Sequence, residues 1–129
     1  MRLVLVRHAE AAQGSPDELR TLTAEGVEQA RRLGERLRAE GIEPDVVLTS
    51  PLLRALETGA ALGFGAPEAH DALAPGATEE DVRTAAAGRG NTVVVVGHQP
   101  DCGRIAAALG DGAEPAFPPA GAVVLDLQE

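Results

Sequence analysis

The sequence predicts an α/β fold, a three-layer α/β/α sandwich with a mostly parallel central sheet and its C-terminal strand at an edge. Short β-branched runs alternate along the chain with segments of helical period. The first three runs are almost continuously apolar, as strands covered on both faces are. The last run instead alternates apolar with polar residues, so one of its faces meets water.

Leu3–Val6 forms the first strand. Thr23 then caps a helix running from about Ala24 to Glu40, with Val27, Ala30, Leu33 and Leu37 on one face and Gly41 as its stop. Val46–Leu48 with its flanks is the second strand, and Ser50-Pro51 starts a helix carrying Leu52, Leu56 and Leu62. Thr78, with Asp81 three positions on, caps a third helix ahead of Val82 and Ala85–Ala87. Thr92–Val96 is the third strand, and a fourth helix from near Asp101 to Gly110 buries Ile105 and Leu109. In the final strand, Ala122–Leu127, the apolar Val123, Leu125 and Leu127 alternate with Asp126 and Gln128. The longer loops, Ala9–Leu22, Gly63–Ala77 and Asp111–Ala120, have the Gly, Pro and Ala content of loops that border a site. At 129 residues, a single domain spanning 1–129 is expected.

Composition narrows the function. The formal net charge is -9, which repels nucleic acid and anionic lipid, and with no Trp or Tyr there is no aromatic platform for bases. Neither nucleic acid nor membrane is expected as a partner. The apolar run Leu3–Val6 is too short for a signal peptide or a membrane span. All 11 basic residues are Arg, which excludes lysine Schiff-base chemistry and a Walker-type phosphate loop. The single Cys102 cannot form an internal disulfide, which fits a reducing cytoplasm.

The chemistry gathers at strand ends. The first strand runs into Arg7-His8, the second into Thr49-Ser50-Pro51 with Arg54 one helical turn on, and the third into Gly97-His98. In open α/β sheets ligands bind beyond the carboxyl ends of the strands, so two imidazoles and two guanidinium groups are expected to converge there. Guanidinium groups match phosphoryl oxygens with paired hydrogen bonds, and their charge holds neighbouring imidazoles neutral and nucleophilic. One histidine can then attack phosphorus while the rest stabilise the equatorial oxygens, and losing one such charged donor costs about 3 kcal/mol of transition-state stabilisation.

In order and spacing, Arg7-His8, Leu22-Thr23-x-x-Gly26, Ser50-Pro-x-x-Arg54-Ala-x-x-Thr58 and Gly97-His98 resemble the motifs of the histidine phosphatase superfamily, which includes the cofactor-dependent phosphoglycerate mutases. The short chain is most similar to the SixA-like branch of phosphohistidine phosphatases. The resemblance implies a phosphoglycerate mutase-like fold and a metal-independent phosphatase without a cofactor. His8 would be the nucleophile, Arg7 and Arg54 would bind the phosphoryl group, and His98 would complete the pocket. Arg20, just before Leu22-Thr23, falls where related short proteins carry an arginine that could bind substrate. The family's usual glycine after the nucleophile is Ala9 here, which is tolerated where φ is negative. No acidic residue stands in a clear proton-donor motif; Glu10 and Asp71 are the candidates. An alkoxide leaving group needs a general acid and an imidazole does not. The expected partner is therefore a phosphotransfer protein carrying phosphohistidine. The alternatives are a small phosphorylated substrate, cleaved as a phosphomonoester on the same scaffold, and a non-catalytic module that binds phosphoproteins.

Competing motifs fail on single residues. A cysteine phosphatase built on Cys102 needs an arginine at 108, which is Ala108. His8-Ala9-Glu10 opens a zinc-deaminase signature, but one cysteine cannot complete it. No metal site is expected.

Overall fold

The computed structural model describes residues 1–128; Glu129, the last residue of the expected domain, lies outside the described residues. Five strands form one sheet: β1 (Arg2–Arg7), β2 (Val46–Thr49), β3 (Glu68–Ala69), β4 (Thr92–Gly97) and β5 (Ala122–Asp126), in the spatial order β3-β2-β4-β1-β5. β1, β2, β3 and β4 run parallel to one another, and β5 pairs antiparallel with β1 at the edge. The helices are α1 (Ala24–Ala39), α2 (Leu53–Ala61), α3 (Glu79–Ala86) and α4 (Asp101–Leu109).

The continuous apolar runs are used on both faces. Leu3, Leu5, Leu48, Val93 and Val95 pack with Val82 of α3 and Cys102, Ile105 and Ala106 of α4. Val4, Val6, Val47, Val94 and Val96 pack with Ala30, Leu33 and Leu37 of α1 and Ala55 of α2. The result is three layers, α1 and α2 on one side of the sheet and α3 and α4 on the other. Residues of β1 and β4 alternate between the two cores with the strand's period of two. Each buried Leu or Val contributes about 1.5–3 kcal/mol relative to exposure.

Sequence and structure differ in four places. Val27, expected on the buried face of α1, is 42% exposed, because the stripe narrows to Ala30, Leu33 and Leu37 with Gly26 and Gly34 at closest approach. Leu109, expected to be buried by α4, is only half-buried. α2 starts at Leu53 rather than at Ser50-Pro51; Ser50 Oγ instead accepts from Leu52 N–H (3.2 Å) and turns the chain into the helix. The loop from Gly63 to Ala77 holds the two-residue β3 and a 3-10 turn at Asp71–Leu73, both too short to leave a periodic signal. The capping box at Thr78 and Asp81 is present as expected. Among the described residues no helix is long and apolar enough to cross a membrane.

Candidate active site

Sheet register brings the site together. Arg7 pairs with Gly97 across β1 and β4, and Thr49 pairs with Val96 across β2 and β4. The ladder continues one residue beyond each end: His8 N–H donates to Gly97 O (2.9 Å), and Ser50 N–H donates to Val96 O (3.0 Å). His8 and His98 therefore leave adjacent strands at the same level. Their rings lie edge to face with centroids 5.3 Å apart.

Hydrogen bonds set the state of each imidazole. His8 Nδ1 lies 2.7 Å from Ala9 O. A carbonyl only accepts, so Nδ1 carries the proton and Nε2 keeps its lone pair. His98 Nε2 lies 2.8 Å from Ser50 Oγ. Ser50 already accepts from Leu52 N–H, so its own proton can be donated to His98 Nε2, and His98 then offers Nδ1–H as a donor. Burial first, then the positive charges of Arg54, Arg7 and Arg20, lowers the His8 pKa, and the Ala9 carbonyl offsets part of this. His98 is lowered further, to about 4, by burial, His8 and Arg54 against an opposing pull from Asp17. Both rings are neutral at pH 7, the form in which imidazole is a nucleophile.

The two guanidinium groups are held at one edge and open at another. Arg7 Nη1 donates to Phe117 O (2.9 Å). Arg54, only 6% exposed, donates from Nη1 to Asp17 O (2.9 Å) and from Nη2 to Asp17 Oδ2 (3.2 Å). Among the described residues two buried side-chain nitrogens lack a partner, and they are Arg7 Nε and Arg54 Nε. Buried N–H groups are nearly always satisfied, so two orphans of one kind in one place are a signature of an anion site. On both residues the edge left over, Nε with Nη2, is one that engages two phosphoryl oxygens in parallel.

The remaining motif residues clamp the segment after His8. Thr58 Oγ1 donates to Arg54 O (2.7 Å) and accepts from Ala9 N–H (3.0 Å), tying α2 to the backbone beside His8. Thr23 N–H donates to Glu10 O (3.0 Å), and a Cβ on Gly26 would stand 2.1 Å from that same oxygen. Ala120 is the one non-glycine with positive φ among the described residues, so Ala9 takes the negative φ that its methyl group requires.

Of the residues singled out in the sequence, Arg7, His8, Arg54 and His98 come together, and Arg20 joins them. It donates from Nε to Ala12 O (2.8 Å) and from Nη1 to Asp17 Oδ1 (3.0 Å). Glu10 does not: its carboxylate accepts from the Thr23 hydroxyl (2.9 Å) at the start of α1. Asp71 sits exposed at the head of its 3-10 turn, and neither acid is among the charges that shift the two histidines. Sequence reasoning missed Asp17 altogether and read Ser50 chiefly as a helix start. Asp17 carries no motif, whereas Ser50 stood in plain view beside Pro51. Among the described residues no group of three or more His, Cys, Asp or Glu could hold a metal ion.

The chain is similar to known proteins in both sequence and fold. The family model of the histidine phosphatase superfamily (branch 1) matches residues 3–74. An uncharacterised protein of Picosynechococcus sp. is 36% identical over 123 residues, 87% of this chain and 74% of that one. Phosphohistidine phosphatase SixA of Escherichia coli is 36% identical over 59 residues, 45% of this chain and 37% of its own length. In three dimensions, the structure of the protein histidine phosphatase SixA complexed with tungstate superposes with a TM-score of 0.83 at 27% identity, covering 93% of this chain and 84% of that one.

Proposed function

This chain belongs to the histidine phosphatase superfamily, and from that premise we propose that it is a phosphatase working through a phosphohistidine on His8. One observation carries the reading. The Nε2 lone pair of His8 is freed by the Nδ1–H bond to Ala9, beside His98 and two guanidinium groups whose buried Nε atoms have no partner. In the first step Nε2 attacks phosphorus, the new N–P bond forms as the bond to the leaving group breaks, and that group takes a proton from solvent. Arg7, Arg54 and the Nδ1–H of His98 bind the equatorial oxygens, where negative charge is held in the transition state. In the second step water attacks the phosphohistidine, inorganic phosphate departs, and His8 recovers its lone pair.

The substrate we propose is phosphohistidine on a phosphotransfer protein, in a cytoplasmic setting. The acid electrostatically coupled to the pocket, Asp17, has its pKa lowered by hydrogen bonds from Arg20 and Arg54, so it stays ionised and is a poor general acid. An imidazole leaving group does not need one; an alkoxide does. All four pocket residues are present, and His8 keeps a free Nε2 lone pair, which favours an enzyme over a binding module. Nor does turnover need a metal, since guanidinium groups supply the positive charge.

The test is direct. Incubation with radiolabelled phosphoramidate, a small N–P donor, is expected to yield an acid-labile, base-stable phosphoenzyme, and His8→Ala is expected to abolish it. A chelator should leave the yield unchanged. Turnover of a phosphorylated transfer domain should exceed that of para-nitrophenyl phosphate. Labelling that survives His8→Ala would refute the mechanism, and a marked preference for the ester would refute the substrate.

A further inference from the structure

Asp17 lies in the loop between His8 and α1, at the head of a 3-10 turn spanning Asp17–Leu19. Its side chain is 62% exposed, yet it accepts three hydrogen bonds from two of the site's arginines. Its carbonyl oxygen accepts from Arg54 Nη1, its Oδ2 from Arg54 Nη2, and its Oδ1 from Arg20 Nη1. One residue thus grips the whole Nη1–Nη2 edge of Arg54 and ties Arg20 to it.

That grip has a geometric consequence. A guanidinium group is planar and has two edges that can bind a pair of oxygens, Nη1 with Nη2 and Nε with Nη2. With the first edge held by Asp17, the plane of Arg54 is fixed, and the edge left for substrate includes Nε, one of the two orphaned buried nitrogens. Arg7 is held by a single bond, from Nη1 to the carbonyl of Phe117, and its Nε is likewise left over. The two differ in the anchor: a neutral carbonyl for Arg7, a carboxylate together with a carbonyl for Arg54. A carboxylate so close to an anion site is costly, because it repels the phosphoryl group. The fold keeps it at the one edge of Arg54 that substrate does not need.

We infer that Asp17 is a positioning residue for phosphoryl transfer: its carboxylate orients Arg54 and Arg20 so that the free edge of Arg54 meets the equatorial oxygens. This rests on the phosphatase reading above. It also separates orientation from attraction. Removing the carboxylate makes the pocket more positive, so a simple anion binds as well as before or better. The transition state, which depends on the direction of the guanidinium edge, is bound worse.

Asp17→Asn and Asp17→Ala are the variants to make. Asp17 is exposed and its backbone carbonyl still accepts from Arg54, so both should fold with an unchanged circular dichroism spectrum. The rate of phosphoenzyme formation from phosphoramidate in single turnover is expected to fall at least tenfold in both, while the Kd for inorganic phosphate, measured by calorimetry, stays the same or tightens. A role in stability alone would leave the rate of the folded variant intact. A labelling rate within twofold of the original chain overturns the role of Asp17 and leaves the phosphatase reading standing. Phosphate binding that weakens in step with the rate also overturns it, because attraction and orientation would then not be separable. Absence of any phosphoenzyme in the unmodified chain overturns the phosphatase reading and this inference with it.

Discussion

Single hydrogen bonds decide which atom of each histidine reacts. Ala9 O holds His8 Nδ1 and frees Nε2, and Ser50 Oγ holds His98 Nε2 and frees Nδ1. The two rings thus present opposite nitrogens, one as a lone pair and one as a donor. Ser50→Ala removes the anchor of the second ring and leaves a buried imidazole nitrogen without a partner. The loss of a buried partner costs about 1–3 kcal/mol of stability. Phosphoenzyme formation is expected to slow by roughly tenfold, as for a misdirected donor to the transition state. Urea unfolding and single-turnover labelling of the same variant check both effects. Unchanged labelling would mean that His98 finds its orientation elsewhere. None of the family motifs specified this bond, since Ser50 beside Pro51 looks equally like a helix signal.

At the scale of elements, two glycines of α1 do different work on the same helix. A Cβ on Gly26 would meet Glu10 O at 2.1 Å, and a Cβ on Gly34 would meet Leu62 O at 2.1 Å. Both neighbours are backbone, so neither can step aside, and each Gly→Ala change should destabilise the protein by about 1–3 kcal/mol through overpacking. Their effects on activity should diverge. Glu10 is two residues from His8, whereas Leu62 lies beyond the far end of α2 from the site. Gly26→Ala is expected to lower the labelling rate of the folded protein, and Gly34→Ala to leave it near normal. Thermal melts paired with labelling rates would show this, and equal losses of rate would contradict it. The pairing also explains the Leu22-Thr23-x-x-Gly26 motif, whose glycine is legible in sequence but whose reason is a contact made across the fold.

At the scale of the whole molecule, the fold gathers three of the eleven arginines of an acidic chain around one histidine. The net charge is -9, yet Arg7, Arg20 and Arg54 all act on the His8 ring. Stability should register this. Both imidazoles have folded pKa values below the ordinary 6.5, that of His98 at about 4. The unfolded chain therefore takes up protons at 6.5 that the folded protein refuses. Stability contributed by the neutral rings is complete above pH 6.5 and declines as pH falls toward 4. Urea midpoints should drop between pH 7 and pH 4.5, and His98→Gln should flatten that slope; a slope unaffected by the change would remove His98 as its source. What the sequence by itself determined was the layered α/β architecture and the candidate residues that follow its strands, Arg7, His8, Arg54 and His98. Periodicity, apolar runs and motif spacing are local, and a parallel sheet carries the ends of its strands to one side whatever the loops do. Tertiary structure alone decided the rest: that Glu10 turns away to Thr23, that Ser50 anchors His98, and that Asp17 grips Arg54 across 37 residues of chain. Those are choices of side-chain direction among loops, and no repeat or spacing in a linear chain encodes direction.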